Sequence, residues 1–216
     1  MRLLVVADLH GQAAAQRNLM KLLERGYDGL LLIGDLSHLG PLGMIEELID
    51  HLKNLNIPIL SVPGNCDPKN TVDVLEVKGV NLHRKCVKLG DLPFIGLGGS
   101  NVTPFNTPLE FTEAEIAEEL DRLAQQAGKN FVLVTHVPPH GTPADLLPDG
   151  TYVGSKSLRT FIERTQPLAN CCGHVHEGRS ISKLGSTLIV NPGPLFKGYA
   201  AELMVEKEVQ AELIQI

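Results

Sequence analysis

Leu3-Leu4-Val5-Val6-Ala7-Asp8-Leu9-His10 opens the chain with five apolar residues that run straight into a carboxylate and an imidazole. A short continuous run of Val and Leu reads as a strand buried on both faces. The pattern recurs at Leu30-Leu31-Leu32-Ile33-Gly34-Asp35. Between the two, Ala13 to Arg25 puts Leu19, Leu22 and Leu23 on one helical face, with Gly26 as the C-terminal stop. Strand, helix and strand within about thirty residues make a βαβ unit, whose strands pair in parallel.

Outward from this unit the alternation continues. Met44 to Leu55 reads as a helix, and Pro58 to Val62 as a third strand ending at Pro63-Gly64-Asn65. Val80 to Leu97 breaks into short runs punctuated by Gly and Pro, the signature of a meander or hairpins. Thr112 and Glu115 form a capping-box pair that opens a helix running to Gly128. Phe131 to Thr135 is another buried strand, ending at His136, and Ser155 to Thr165 is helical. The long Pro/Gly-rich loop from Pro138 to Gly154 between them is of a length that is often functional. Leu168 to Cys172 is a strand ending at Gly173-His174-Val175-His176, and Ile181 to Ile216 reads as several more. No repeat or linker interrupts the 216 residues, so one domain spanning 1–216 is expected. Its fold class is α/β, with two packed sheets flanked by helices.

Composition narrows the function. Hydrophobic residues are 43% and charged residues 20%, as in a globular chain. Trp is absent and aromatics are 4%, so the core must be aliphatic. A net charge of −6 with no Lys/Arg run excludes a strong electrostatic footprint for nucleic acid. The apolar run at the N-terminus is too short for a signal peptide or a membrane span. None of the four cysteines forms a C-x-x-C pair, so zinc-ribbon and thioredoxin-type motifs are excluded. Few cysteines in a chain of this length imply a reducing, cytoplasmic setting.

The chemistry lies where the apolar runs stop. Each of five segments ends a strand signature in a residue of metal-ligand type: Asp8-Leu9-His10, Gly34-Asp35, Gly64-Asn65, Thr135-His136 and Gly173-His174-Val175-His176. Ligands of open α/β sheets bind at the carboxyl ends of strands, so these segments should meet on one rim. A mixed nitrogen and oxygen set suits Zn, Mn, Fe or Ni rather than a thiolate site or an all-oxygen calcium site. The set exceeds what one ion needs, and two ions sharing a carboxylate is the natural count. Taken singly, Asp8 and Asp35 would read as turn or helix-cap residues; the set as a whole favours metal binding.

These five blocks, in this order, resemble the motifs of the calcineurin-like metallophosphoesterases. The resemblance implies a four-layer α/β/β/α sandwich of two mixed sheets. It implies that Asp8, His10 and His176 bind one metal, that Asp35 bridges, and that Asn65, His136 and His174 bind the second. It implies a metal-bridging hydroxide as nucleophile, with Asn65 also near a phosphoryl oxygen. One block departs from the family pattern. Gly64-Asn65-Cys66-Asp67 carries a cysteine where the family usually has a histidine that serves the leaving group. We therefore group Asn65, Cys66 and Asp67 as catalytic residues. Members with Cys at this place resemble phosphodiesterases, so the expected substrate is a small phosphodiester or nucleotide-like molecule. Phosphomonoester or protein-phosphatase activity is the alternative. A non-catalytic scaffold, possible for this fold, should have lost ligands, and here all seven are in place.

Other residues read as follows. His140 and His38 lie near the candidate site in sequence, each a substrate contact or a plain loop residue. His51 and His83 read as surface residues, and Cys171 and Cys172 as core packing. Asn191-Pro192-Gly193 is a turn that could support the site. Gly98-Gly99-Ser100-Asn101 could offer backbone N–H groups to an anion, though without the strand-to-helix setting of a phosphate loop. The loops at Asn101 to Pro108 and Pro138 to Gly154 are expected to shape the specificity pocket. The strands near the C-terminus could form a homo-oligomer interface or simply core.

Overall fold

A computed structural model describes residues 1–216. In chain order the first half holds β1 (Arg2–Ala7), α1 (Ala13–Leu23), β2 (Gly29–Ile33), α2 (Leu42–Lys53), β3 (Ile59–Val62), α3 (Thr71–Val77), β4 (Lys85–Leu89), β5 (Leu92–Leu97) and β6 (Ser100–Asn101). The second half holds β7 (Glu110–Phe111), α4 (Glu113–Ala127), β8 (Val132–Thr135), α5 (Lys156–Thr165), β9 (Ala169–Cys171), β10 (Ser180–Leu184), β11 (Thr187–Asn191), β12 (Tyr199–Val205) and β13 (Val209–Gln215). Two mixed sheets result, one ordered β13-β12-β1-β2-β3 and the other β10-β11-β9-β8-β5-β4.

The two-residue period of β1 explains the layering. Leu4 and Val6 point one way and pack on Leu19 and Leu22 of α1 and on Ile45 and Ile49 of α2. Leu3, Val5 and Ala7 point the other way, against Phe94, Val132, Val134 and Cys171 of the second sheet. The far face of that sheet, with Ile95, Leu97 and Leu133, packs on Ile116 and Leu120 of α4 and on Phe161 and Ile162 of α5. Helix, sheet, sheet and helix thus form the four-layer α/β/β/α sandwich. Each aliphatic side chain fully buried in these layers stabilises the fold by about 1.5–3 kcal/mol.

The local signals have visible causes. The capping box at α4 is complete: the Glu115 amide donates to Thr112 Oγ1 at 3.2 Å, and the Thr112 amide donates to Glu115 Oε2 at 2.8 Å. Cys171 and Cys172 are fully buried, and all four cysteines are free. No helix is long and apolar enough to cross a membrane.

Some features depart from the sequence reading. α3 is too short to show helical periodicity, and only Thr71, Val74 and Leu75 are buried. The segment 80–97, read as a meander or hairpins, ends in a hairpin but does not begin with one. Its first residues run along β3, with the Ser61 amide donating to Val80 O at 2.8 Å and the Leu82 amide to Ser61 O at 2.7 Å, before β4 and β5 form one hairpin. His51 is exposed as expected, but His83 is buried at 5% exposure. The His83 Nδ1 accepts the Gly98 amide proton at 2.9 Å, its ring stacks on Phe111, and burial pulls its pKa down to about 4. The strands at the C-terminus divide between the sheets, β10 and β11 joining the second, β12 and β13 the first.

Candidate metal centre

The ends of β1, β2, β3, β8 and β9 meet on one rim because their backbones are stitched together. The Asp8 amide donates to Gly34 O at 3.1 Å, the His10 amide to Asp35 O at 2.7 Å, and the Gly173 amide to His136 O at 2.9 Å. Asp8, His10, Asp35 and His174 all have left-handed backbone, with φ of 56°, 49°, 48° and 66°. Such conformations cost about 1–3 kcal/mol each and gather where a site requires them. Gly34 and Gly64 allow the closest approach. A Cβ on Gly34 would overlap the His136 ring, and one on Gly64 would overlap the Asp35 carboxylate.

Two groups of ligand atoms form: Asp8, His10 and His176, and Asp8, Asp35 and His136, the atoms of each lying within 4.8 Å of one another. Asp8 is common to both. Asp35 also spans them, with Oδ2 3.7 Å from His10 Nε2 and Oδ1 3.5 Å from His136 Nε2. Asn65 joins the second group, its Oδ1 3.1 Å from His136 Nε2. His174 falls outside both groups. Its imidazole stands edge-on to His136 with centroids 5.2 Å apart, and its amide donates to both Asp8 oxygens at 3.2 Å.

The donors fit divalent cations. His10 and His176 turn their Nε2 atoms toward each other at 3.1 Å, a pairing that needs a proton or a cation to be favourable. Burial lowers the pKa of His10, and burial and then His136 bring His174 down to about 4, so both offer lone pairs at neutral pH. Burial also opposes charge on His136, but the adjacent Asp35 carboxylate outweighs it and raises the pKa to about 9. A proton there does what a cation would do, compensating buried carboxylates that are 1% and 2% exposed at Asp8 and Asp35. The His136 Nδ1 lies 3.2 Å from Ile33 O, which orients the ring so that Nε2 faces the carboxylates.

Neighbours hold these groups in place. Asp67, grouped with the catalytic residues from its sequence block, is fully buried, with both carboxylate oxygens turned onto backbone amides. Its carboxylate accepts the amides of Gly64 at 2.8 Å, Ser37 at 2.8 Å and Leu36 at 3.1 Å, so it ties the end of β2 to the end of β3. Cys66 is half-buried beside Asn65, and its amide donates to Asp35 Oδ1 at 2.9 Å. Asn191 is both turn and support: its Nδ2 donates to Val175 O at 2.9 Å, between the two histidines of that block. His38 Nδ1 lies 3.3 Å from His10 Nδ1. Phe196 packs edge-on to His10 and His176, at 5.7 and 5.3 Å between centroids. Nothing in the sequence singled out Phe196, Thr107 or Glu110, because loops, single turns and two-residue strands are too short to carry a periodic signal.

Beside the centre lies a cleft of about 740 Å³ whose walls include Thr103, Phe105, His140, Tyr152 and His174. Both loops expected to shape a pocket contribute to it. His140 stands in this wall, its Nδ1 3.6 Å from the buried Asp145 carboxylate. The Gly98–Ser100 stretch offers no anion nest, because the amides of Gly98, Gly99 and Ser100 donate to His83 Nδ1, Pro63 O and Leu109 O.

A four-layer sandwich with Asp/His groups gathered at its strand ends has the make-up of a metal-binding protein. The chain belongs to the calcineurin-like phosphoesterase family, whose model matches residues 1–178. Members of that family use a dinuclear metal centre and hydrolyse phosphoric ester bonds. An uncharacterised protein of Methanocaldococcus jannaschii is 42% identical over 200 residues, covering 90% of this chain and 88% of that one. A probable cyclic nucleotide phosphodiesterase of Vesicomyosocius okutanii is 27% identical over 183 residues, covering 81% of this chain and 75% of its own. A crystal structure from Thermus thermophilus shares the fold with a TM-score of 0.76 at 19% identity, covering 98% of this chain and 97% of that one.

Proposed function

We propose that this metallophosphoesterase hydrolyses a small phosphodiester, of nucleotide-like character, with two divalent cations of Mn, Fe, Ni or Zn. Asp8, His10 and His176 hold one cation; Asn65, His136 and His174 serve the other; Asp35 lies between them. The observation that carries this reading is the pair of Asp/His groups spanned by Asp8 and Asp35 on one rim. Bound cations of this kind lower the pKa of water toward about 7 and stabilise charge on phosphoryl oxygens.

The residues of the chain do the rest. Asp8 is oriented by the His174 amide, and Asp35 by the Cys66 amide, so neither carboxylate must reorganise as charge develops. Phe105 and Tyr152, 80% and 44% exposed on the cleft wall, offer aromatic faces to a base-like ester group. Diester preference is supported by Cys66 standing where a histidine would serve a monoester leaving group, and by the relative described as a cyclic nucleotide phosphodiesterase. The whole chain, 1–216, acts as one domain, and its free cysteines suit a reducing cytoplasm.

Metal-stripped protein should be assayed on bis-p-nitrophenyl phosphate and p-nitrophenyl phosphate, then again with Mn²⁺ or Ni²⁺ added. Metal-restored cleavage that favours the diester is the expected result. A faster monoester rate overturns the diester assignment, and cleavage that survives stripping overturns the role of the cations.

A further inference from the structure

Asn65 is the one amide among the candidate ligands, and an amide can present either of two ends. Its Oδ1, the end a cation requires, faces His136 Nε2 at 3.1 Å. Its Nδ2 donates to Thr107 Oγ1 at 2.9 Å. A threonine hydroxyl has a single proton to give. That proton goes to Glu110 Oε1, 2.5 Å away, because an ionised carboxylate only accepts. The hydroxyl therefore meets Asn65 with a lone pair, and only the NH₂ end of the amide can pair with it.

Glu110 is fixed in this role by its surroundings. Oε1 also accepts the Thr107 amide at 2.8 Å and the Thr103 hydroxyl at 2.6 Å, while Oε2 accepts the Thr103 amide at 3.2 Å. Burial works against the charge, but these bonds outweigh it and hold the pKa down at about 2. The same loop grips the Asn65 backbone, where the Leu109 amide donates to Asn65 O at 3.2 Å. His136 cannot orient the amide in the loaded protein. Once its Nε2 serves a cation, it has no proton there to give, and the partners that remain for Nδ2 are Thr107 Oγ1 at 2.9 Å and Cys66 Sγ at 3.7 Å, a thiol being much the weaker acceptor.

We infer that Glu110 and Thr107 form a proton-ordering relay that turns the oxygen of the Asn65 amide, rather than its nitrogen, toward the second cation. Both are positioning residues, and neither lines the cleft. The inference rests on the proposed role of Asn65 as a ligand. It also joins cation binding to the cleft, because Thr103 donates to Glu110 and stands in the cleft wall.

The test is calorimetric titration of metal-stripped protein with Mn²⁺. Thr107→Val keeps the shape and loses the hydroxyl; it should weaken one Mn²⁺ step by about 10–100-fold, as outer-shell substitutions do. Thr107→Ser should restore wild-type binding. Glu110→Gln places an amide that can donate to Thr107, and should weaken the same step. Asn65→Ala sets the full loss, and the unfolding midpoint of each metal-free variant shows whether it is folded. Should Thr107→Val not fold, Glu110→Gln and Thr107→Ser carry the comparison. If Asn65→Ala binds Mn²⁺ like wild type, the ligand assignment fails. If Asn65→Ala weakens a step while folded Thr107→Val and Glu110→Gln do not, the relay is overturned and the ligand assignment stands.

Discussion

His10 and His176 face each other through Nε2 atoms 3.1 Å apart, although 166 residues separate them in the chain. Two lone pairs cannot sit at that distance without a proton or cation between them, and Phe196 packs edge-on against both rings. Replacing either imidazole removes a proposed ligand and the partner that the other ring faces. His176→Ala should lower the bound metal of purified protein from about two ions per chain to about one. Its diesterase rate should fall about 10²–10⁴-fold, the worth of several kcal/mol at the transition state. Elemental analysis beside the bis-p-nitrophenyl phosphate assay checks both, and full metal content at full rate would remove His176 from the site.

The parts of this centre that were legible in the sequence share one cause. Asp8, Asp35, Asn65, His136 and His174 each end a buried apolar run, so strand prediction alone brings them to one rim. The helix capped by Thr112 was legible for a similar reason, since its signal lies within four consecutive residues. The rest depends on distance. Asp67 looks catalytic beside Asn65, yet its backbone turns the carboxylate inward onto Leu36 and Ser37, a direction no local pattern encodes. His83 looks like a surface residue until β5 and Phe111 cover it. The pairing of β12 with β1, Arg2 opposite Met204, joins the two ends of the chain, and periodicity carries no information about a partner so far away.

Gly64 shows how tightly the rim is built. A methyl group there would meet the Asp35 backbone nitrogen and carboxylate, and backbone cannot yield as a flexible side chain can. Gly64→Ala should cost about 1–3 kcal/mol of stability, the usual range for overpacking. Because the displaced group is the proposed bridging ligand, Mn²⁺ affinity should drop as well. Urea unfolding of the metal-free protein and Mn²⁺ titration measure the two effects separately. Wild-type values for both would mean that the loop relaxes without moving Asp35.

His83 gives the fold an acid-sensitive point outside the metal centre. Its pKa is near 6.5 in an unfolded chain and about 4 in the folded one, where burial and the Gly98 amide require the neutral ring. Between these values the unfolded state binds the extra proton, so the stability His83 contributes is present above about pH 6.5 and is lost as pH falls toward 4. Going from pH 7 to pH 5, the wild type should lose about 2 kcal/mol more than His83→Gln. Urea midpoints of both metal-stripped proteins at the two pH values decide this. Parallel losses would show that His83 titrates alike in both states.

The Cys66 thiol lies beside Asn65 and Asp35 at the candidate centre. Burial, with the Asp35 carboxylate beside it, pushes the thiol up to about 12, so it gives up its proton poorly. General acid catalysis is worth about 10²–10⁴-fold where the leaving oxygen is basic, and little where it is as acidic as p-nitrophenol. The natural protein should therefore discriminate most strongly against monoesters of poor leaving groups, such as phenyl phosphate. Cys66→His places an imidazole at the same point and should raise the ratio of phenyl phosphate to bis-p-nitrophenyl phosphate rates by at least about tenfold. Cys66→Ser, which supplies a hydroxyl that is no better an acid, should leave the ratio alone. If Cys66→His binds metal normally and the ratio does not move, preference for a diester cannot originate at residue 66, and the walls around Phe105 and Tyr152 must impose it.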